Sequence, residues 1–382
     1  MKINTGLLSL ALGAFAIGTT EFAPMGLLPL IASDLGVSIP KAGLLISAFA
    51  LGVVISAPVL ALVTSQIARR RLLIIMTGIL VAGNALSAIS DTYSMMLYSR
   101  IVTALNMGTF FGVGAVVAAG LVPKERQASA VAVMFMGLAL SNVLGVPLAT
   151  WAGEQFGWRA PFWAIAILGL VTMGALRLTL PVLPGAEAGN TRSEIRALMK
   201  KEVILALSLT ALGATAWFSV VSYITPILRD VTQTSPFLTA IMLVIFGAGL
   251  TVGNWLGGRF ADRSIDNTLI VALAGIAVTQ IALAFLMPYV IVTAIIIFFW
   301  AVGSFAIVPP LQMRVIAAAS EAPNLASSVN ISAFNTGNAL GAAIGGGVIA
   351  TGAGYPAVAI VGALVALVAL GMVLALRKKT LS

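Results

Sequence analysis

Two ionisable side chains, Glu21 and Arg100, lie within otherwise apolar stretches of the sequence. A charged side chain at the centre of a membrane costs about 3 kcal/mol even on permissive scales, so such residues usually mark a pathway or a paired site. Burial favours the neutral form of a carboxyl, whereas a nearby guanidinium favours the ionised form. We therefore predict that Glu21 and Arg100 couple the protein to protons. The alternative is a permanently charged pair that only fixes helix packing.

The absence of two residue types narrows the chemistry. The 382 residues include no Cys and no His, which removes thiolate nucleophiles, Cys-ligated metals and the commonest general base. No phosphate-binding loop with its lysine accompanies the glycines. The sequence therefore predicts no catalytic residues, no metal and no cofactor, and it argues against an enzyme.

The composition excludes a water-soluble globular protein. Hydrophobic residues make up 60% of the chain and charged residues 9%, against about 25% charged residues in an ordinary soluble domain. Glu21 and Arg100 must then be positioned by transmembrane helices, because a helix satisfies its backbone polar groups internally. At roughly 30 residues for each span and its loop, the chain accommodates about twelve spans.

The apolar runs can be divided into twelve candidate spans. They cover residues 6–31, 42–63, 72–90, 94–120, 127–150, 160–180, 203–227, 237–258, 268–287, 289–312, 325–350 and 356–376. A charged segment with several turn-forming residues falls near the middle. We predict an N-terminal six-helix half at 1–182, a cytoplasmic linker at 183–201 and a C-terminal six-helix half at 202–382.

The distribution of basic residues predicts the orientation. With both termini in the cytoplasm, 17 of the 21 Lys and Arg residues lie inside, and Lys41, Arg159 and Arg229 lie outside. This asymmetry follows the positive-inside rule. The net charge of +9 is therefore explained by topology, and we expect no nucleic-acid partner.

An internal repeat relates the two halves. Glu125 is followed 17 residues later by Asn142, Glu321 is followed 17 residues later by Asn338, and the two pairs are 196 residues apart. Parallel repeats with a substrate site at their interface are a common transporter design. The repeat predicts a duplication of six helices.

The segments 61–69 and 258–266, related by an offset of 197, resemble the helix 2–3 loop motif of the major facilitator superfamily. Ser65 replaces the motif's acid in the first copy, whereas Asp262 retains it in the second. In the family this motif stabilises one conformation through charges at the cytoplasmic gate. With the small residues of helix 5, the gate residues implied by the resemblance are Arg69, Arg70, Gly258, Asp262, Arg263, Gly137, Gly145 and Pro147.

Three further segments resemble the bacterial branch of drug and sugar proton antiporters, which includes arabinose-efflux and chloramphenicol exporters. They are residues 18–29, 157–162 and 334–341, and Arg100 matches the arginine of the family's helix 4 motif. The resemblance implies an all-α membrane protein with the major facilitator fold.

Polar amides and aromatic residues within the spans are candidates for the substrate cavity, although helix packing is an alternative for each one. They are Phe22, Met25, Asn106, Phe110, Asn142, Trp217, Tyr223, Phe299, Asn330, Phe334, Asn335 and Asn338.

Together these observations predict a secondary active transporter of the bacterial inner membrane. It would act as a monomer surrounded by lipid and export a small organic solute, a sugar or an amphipathic drug, in exchange for protons by alternating access. Proton symport into the cell and a non-transporting membrane sensor are the alternatives.

Overall fold

The computed structural model describes residues 4–37, 39–182 and 191–380, and all regular structure in these residues is helical. The N-terminal helices are α1 (Thr5–Asp34), α2 (Ile39–Val63), α3 (Arg69–Ala88), α4 (Tyr93–Gly120), α5 (Gln127–Leu140), α6 (Val146–Phe156) and α7 (Arg159–Thr179). The others are α8 (Thr191–Leu198), α9 (Lys201–Val221), α10 (Ile224–Pro226), α11 (Pro236–Ala261), α12 (Ile265–Leu286), α13 (Val290–Ala306), α14 (Val308–Ala318), α15 (Pro323–Ala350) and α16 (Gly354–Thr380).

The all-α prediction is confirmed. Eleven helical segments of the described chain are long and apolar enough to cross a membrane. The 28-residue helix α15, which contains four asparagines, occupies the remaining predicted span. Of the predicted linker, residues 183–190 lie outside the described residues, and α8 forms part of the remainder.

Three predicted spans are not continuous α-helices. The span predicted at 127–150 contains a π-helical turn at Ser141–Gly145. The span predicted at 203–227 breaks after α9, and the short helix α10 and a second π-helical turn, Ile227–Val231, follow. The first turn precedes Pro147, whose ring prevents a regular bond to the carbonyl four residues earlier. Just before this proline, Val146 N–H donates to the carbonyl of Ser141, five residues earlier. The span predicted at 289–312 divides into α13 and α14, because two prolines lie in the first turn of α14.

The chain forms two compact units. Of the described residues, those within 1–124, 133–199 and 319–332 form the first unit, and those within 125–132, 200–318 and 333–382 form the second. In the first, α4 packs on α2 and α3, and α7 packs on α1 and α3. In the second, α13 packs on α11 and α12, and α16 packs on α9 and α12. The domain boundaries expected from the sequence stay a prediction.

A polar network joins three helices at one end of the first unit. Arg159 Nη1 lies 2.7 Å from Asp34 Oδ2, and its Nη2 donates to the carbonyl of Ser90 at 2.8 Å. The guanidinium also lies over the Trp158 ring, 4.3 Å from its centroid, while the indole N–H donates to Asp34 at 3.1 Å. The network fixes the end of α1 against the end of α3 and the beginning of α7.

A close approach of two helices in the first unit depends on Gly137. A Cβ at this position would overlap the carbonyl oxygen of Ala11. The contacted atom is backbone, so neither helix can avoid the overlap by changing a side-chain rotamer. Gly137 therefore allows α5 to pack directly on the backbone of α1, the helix that carries Glu21.

Gly137→Ala is expected to lower the free energy of unfolding by about 1 to 3 kcal/mol, the usual range for overpacking a tight contact. The measurement is the thermal unfolding of the purified protein in detergent. Gly174→Ala in α7 is the matched control, because a Cβ there meets no atom within 4 Å. Equal melting temperatures for the two variants would contradict the backbone contact.

Candidate functional site

Arg100 lies fully buried in the first unit. Its Nη1 donates to the carbonyl of Thr20 at 2.8 Å, and its Nη2 donates to the carbonyl of Glu21 at 3.4 Å. The guanidinium also lies over the ring of Phe49, 4.5 Å from the centroid. Two carbonyl oxygens and an aromatic face therefore solvate a cation that water does not reach.

Pro24 explains why α1 can offer the Thr20 carbonyl to Arg100. In a regular helix each carbonyl accepts the N–H four residues later, and residue 24 is a proline inside α1. Proline has no backbone N–H, so the carbonyl of Thr20 lacks its regular partner in α1. The Nη1 bond of Arg100 satisfies this acceptor, and the sequence thereby positions the guanidinium beside Glu21.

The carboxylate of Glu21 is not held by Arg100 in an ion pair. No described cation lies within 4.0 Å of its oxygens, and Oε2 is buried without a hydrogen-bond partner in the described residues. An ionised carboxylate in this environment would be poorly solvated, whereas a protonated one needs only a single acceptor. The arrangement therefore suits a carboxyl that exchanges a proton with its surroundings.

Two residues beside this pair were missed by the sequence reasoning. Asn84 of α3 is fully buried, and its Nδ2 donates to Thr20 Oγ1 at 3.1 Å and to the carbonyl of Leu80 at 2.9 Å. Phe49 supplies the ring under Arg100. Nothing in the local sequence distinguishes Phe49 from other aromatic residues. For Asn84, the internal repeat provides a signal, because a second amide lies at the equivalent position.

The signal is Gln280 of α12, which lies 196 residues after Asn84. Its Nε2 donates to the carbonyl of Ala216 at 2.7 Å, and Ala216 lies 196 residues after Thr20. In each half, an amide side chain thus donates a hydrogen bond to the first helix, and the residues of the two contacts are related by the repeat offset. At the same offset, Glu21 corresponds to Trp217.

The second unit therefore has an aromatic residue where the first has the acid. Trp217 packs edge-to-face on Phe218 and Phe305, with ring centroids 5.2 and 5.8 Å away, and lies 6.3 Å from Phe334. Its side chain is 6% exposed, and its indole N–H has no acceptor among the described residues. We call Trp217, Phe218, Phe305 and Phe334 the aromatic cluster. It offers apolar faces and one unused hydrogen-bond donor.

The other predicted cavity residues of the first unit differ in their surroundings. Asn106 is fully buried, and neither its amide nitrogen nor its oxygen has a partner in the described chain. Phe110 packs in the core on Phe111, and Asn142 donates to the carbonyl of Leu138 at 3.1 Å. Three further residues complete the list for this unit: Phe22 is partly buried beside Glu21, Met25 is 46% exposed, and Asn330 is buried.

In the second unit, the predicted cavity residues do not form one group. The hydroxyl of Tyr223 donates to the carbonyl of Ala342 at 2.8 Å, so this hydroxyl is already engaged within the protein. Phe299 is 56% exposed in a groove lined by α11, α12 and α13. Asn335 is buried, and Asn338 Oδ1 lacks a hydrogen bond in the part of the chain that the structure describes. Only Trp217 and Phe334 among these candidates contact each other through their rings.

Asp262 caps the first turn of α5. Its Oδ1 accepts the N–H of Ala128 at 2.8 Å, and both carboxylate oxygens accept the N–H of Ser129 at 3.2 Å. The hydroxyl of Ser129 donates to Oδ2. A carboxylate at a helix N-terminus satisfies free N–H groups and complements the helix dipole. Gly258, one turn earlier in α11, lies against the same turn of α5.

The remaining gate candidates lie apart from this contact. Arg70 donates to the carbonyl of Leu180 at 3.1 Å, and Arg69 is half-buried. Arg263 is exposed and lies 5.9 Å from the centroid of the Phe260 ring. Gly145 packs on Thr19 of α1, at the end of the π-helical turn that precedes Pro147.

Comparison with known proteins identifies the family. Residues 10–345 match the Major Facilitator Superfamily, and the chain belongs to this superfamily of membrane transporters. The inner membrane transport protein YdhP of Escherichia coli strain K12 is 52% identical over 373 residues, which are 98% of this chain and 96% of that protein. A chloramphenicol resistance protein of Streptomyces lividans is 34% identical over 336 residues, covering 87% and 86% of the two chains.

The fold agrees with this assignment. The crystal structure of the E. coli fucose:proton symporter FucP matches with a TM-score of 0.79 at 15% identity, covering 96% of this chain and 97% of that one. The major facilitator fold predicted from the sequence is confirmed. The chain is a multi-pass membrane transporter of small molecules and not an enzyme.

Asp262→Asn is expected to loosen the first turn of α5, because an amide is a weaker acceptor than a carboxylate and also presents an N–H₂ group. Loss of a good cap costs about 1 kcal/mol, which corresponds to roughly fivefold faster amide exchange at Ala128 and Ser129. Hydrogen–deuterium exchange with mass spectrometry measures this. Asp91→Asn, at an 88% exposed side chain, is the control, and unchanged protection in Asp262→Asn would refute the cap.

Proposed function

We propose that this protein exports a small organic solute across the bacterial inner membrane by proton antiport with alternating access. The observation that carries the proposal is the geometry of Glu21 and Arg100. Glu21 has a buried carboxyl oxygen without a partner in the described chain, while the guanidinium of Arg100 is held by backbone carbonyls of α1, the helix that carries Glu21. A proton can therefore bind to Glu21 without breaking an ion pair.

The direction of transport is inferred from the relatives. One of them is a chloramphenicol resistance protein, and resistance is consistent with export. YdhP, a relative of 52% identity, is an inner membrane protein, which supports the proposed location. The positive-inside distribution of Lys and Arg supports cytoplasmic termini.

The solute class is inferred from the aromatic cluster. Trp217, Phe305 and Phe334 present apolar rings, and the Trp217 indole N–H is unused. Sugars and amphipathic drugs both combine an apolar face with hydrogen-bonding groups, so both fit such a surface. The second unit would thus bind the solute, whereas the first would bind the proton.

Asp262 contributes to this proposal as a gate residue. Its carboxylate joins the end of α11 to the first turn of α5. Because the same carboxylate accepts both N–H groups, its hydrogen bonds to them form and break together. We infer that forming and breaking this contact accompanies the change between the two states of the transporter.

Glu21→Gln is expected to abolish proton-driven transport while preserving solute exchange. In proteoliposomes with a lumen one pH unit more acidic than the outside, each proton supplies about 1.36 kcal/mol, enough for tenfold accumulation of solute by antiport. The measured quantities are uptake of labelled chloramphenicol under this gradient and counterflow without it. The sign of the response does not depend on how the protein is oriented in the liposomes.

The control is Glu154→Gln, because Glu154 is an exposed acid of α6. It should transport like the unmodified protein. Solute expulsion under the same gradient would indicate symport instead, and undiminished gradient-driven uptake by Glu21→Gln would end the proposed role of this residue. A parallel susceptibility and export screen of overproducing cells, against sugars and antibiotics, identifies the transported solute.

Trp217→Phe keeps a ring in the aromatic cluster but removes the N–H donor. We expect the half-saturation concentration for the transported solute to rise by about 2- to 12-fold, which corresponds to the roughly 0.5–1.5 kcal/mol of one hydrogen bond. Counterflow at a series of solute concentrations measures it. Trp163→Phe is the control, because Trp163 is 46% exposed in the first unit. Equal values for both variants would exclude the indole N–H from solute binding.

A further inference from the structure

A groove of about 640 Å³ runs along the outside of the second unit between α11, α12 and α13. Its floor and sides contain residues with small side chains, notably Gly257, Gly275 and Gly303. Close contact between α11 and α13 is possible because a Cβ at Gly257 would overlap the backbone of Ala306. At Gly275 of α12, the place of a Cβ is open space, with no atom within 4 Å.

The walls of the groove are exposed apolar side chains. Val271 and Val278 of α12 are 73% and 65% exposed, and Phe299 of α13 is 56% exposed. Such residues on a transmembrane helix face hydrocarbon. The groove extends along α12 from Ser264 to Thr279, a distance of about 22 Å at 1.5 Å per residue. This exceeds the depth of one leaflet, about 15 Å of hydrocarbon.

One end of the groove is polar and carries a positive charge. Arg263, Ser264 and Asn267 line it there. The two acids that flank Arg263 in sequence are engaged elsewhere: Asp262 binds the first turn of α5, and Asp266 pairs with Arg314 at 2.8 Å. No described carboxylate lies within ion-pairing distance of Arg263.

We propose that this groove binds one anionic phospholipid of the surrounding bilayer. The phosphate of its headgroup binds Arg263, and one acyl chain lies along the groove past Gly275 of α12. A guanidinium matches a phosphate in charge and geometry. The apolar walls disfavour a polar solute, and the groove is long enough to hold an acyl chain that begins at headgroup level. None of the residues that line the groove belongs to the aromatic cluster.

The test is native mass spectrometry of the purified full-length protein, titrated with phosphatidylglycerol or phosphatidylethanolamine of identical acyl chains. We expect one tightly bound phosphatidylglycerol and at least fivefold weaker retention of phosphatidylethanolamine. Gly275→Leu should reduce phosphatidylglycerol retention at least fivefold, because its side chain fills the groove. Gly371→Leu in α16 is the matched control, since a Cβ meets no atom within 4 Å at either glycine.

A second variant tests the charged end without filling the groove. Arg263→Gln should remove the preference for phosphatidylglycerol over phosphatidylethanolamine, whereas Arg177→Gln, at an exposed arginine of α7, should keep it. Equal retention of both lipids by the unmodified protein would overturn the proposal. Unchanged retention in Gly275→Leu with altered solute transport would also overturn it, and would identify the groove as a path for the solute.

Discussion

A guanidinium in the interior of a membrane protein must find acceptors that are not already used, and the first unit is built around this requirement. A helix in a bilayer normally has no free carbonyl to offer, because each one accepts an N–H of the same helix. Pro24 removes one such N–H from α1, and Arg100 takes the carbonyl of Thr20 that this leaves. With the Phe49 ring below it, Arg100 is solvated without the carboxylate of Glu21. The acid is thereby left available for a proton.

The sequence is sufficient to predict which charges enter the membrane, because a charge in an apolar run is visible without coordinates. Glu21 and Arg100 are both visible in this way, and the structure places Arg100 Nη2 3.4 Å from the carbonyl oxygen of Glu21. The partners of Arg100 were not predictable in the same way. Phe49 is one aromatic residue among many, and its contact joins residues 51 positions apart. Pro24 was visible, but its effect depends on which distant donor faces the carbonyl that it frees.

Backbone irregularities show a second limit of hydropathy. The π-helical turn at Ser141–Gly145 and the break at Ile307 do not change the apolar character of their segments, so hydropathy predicts continuous helices there. The cause lies in prolines, which remove backbone hydrogen bonds, as Pro147 does. Packing on glycine is equally hidden: Gly137 was notable as part of a motif, but only the fold shows that it faces the carbonyl of Ala11.

The two copies of the loop motif have diverged in chemistry. In the second copy Asp262 holds the first turn of α5 by hydrogen bonds. In the first copy Ser65 replaces the acid, and the nearby contacts are apolar: Ala61 packs in a cluster with Ala197 of α8 and Leu325 of α15. One contact is thus directional and depends on charge, whereas the other depends on the exclusion of water.

The equivalence of Glu21 and Trp217 under the 196-residue offset has an evolutionary consequence. Two copies of one ancestral position now hold an acid and an indole. Under the proposed roles, duplication has separated two tasks that a single half would have had to combine. Substitutions around Trp217 would then change which compounds are carried without altering the energy source, and descendants of such a protein would acquire new cargoes while inheriting the same proton chemistry.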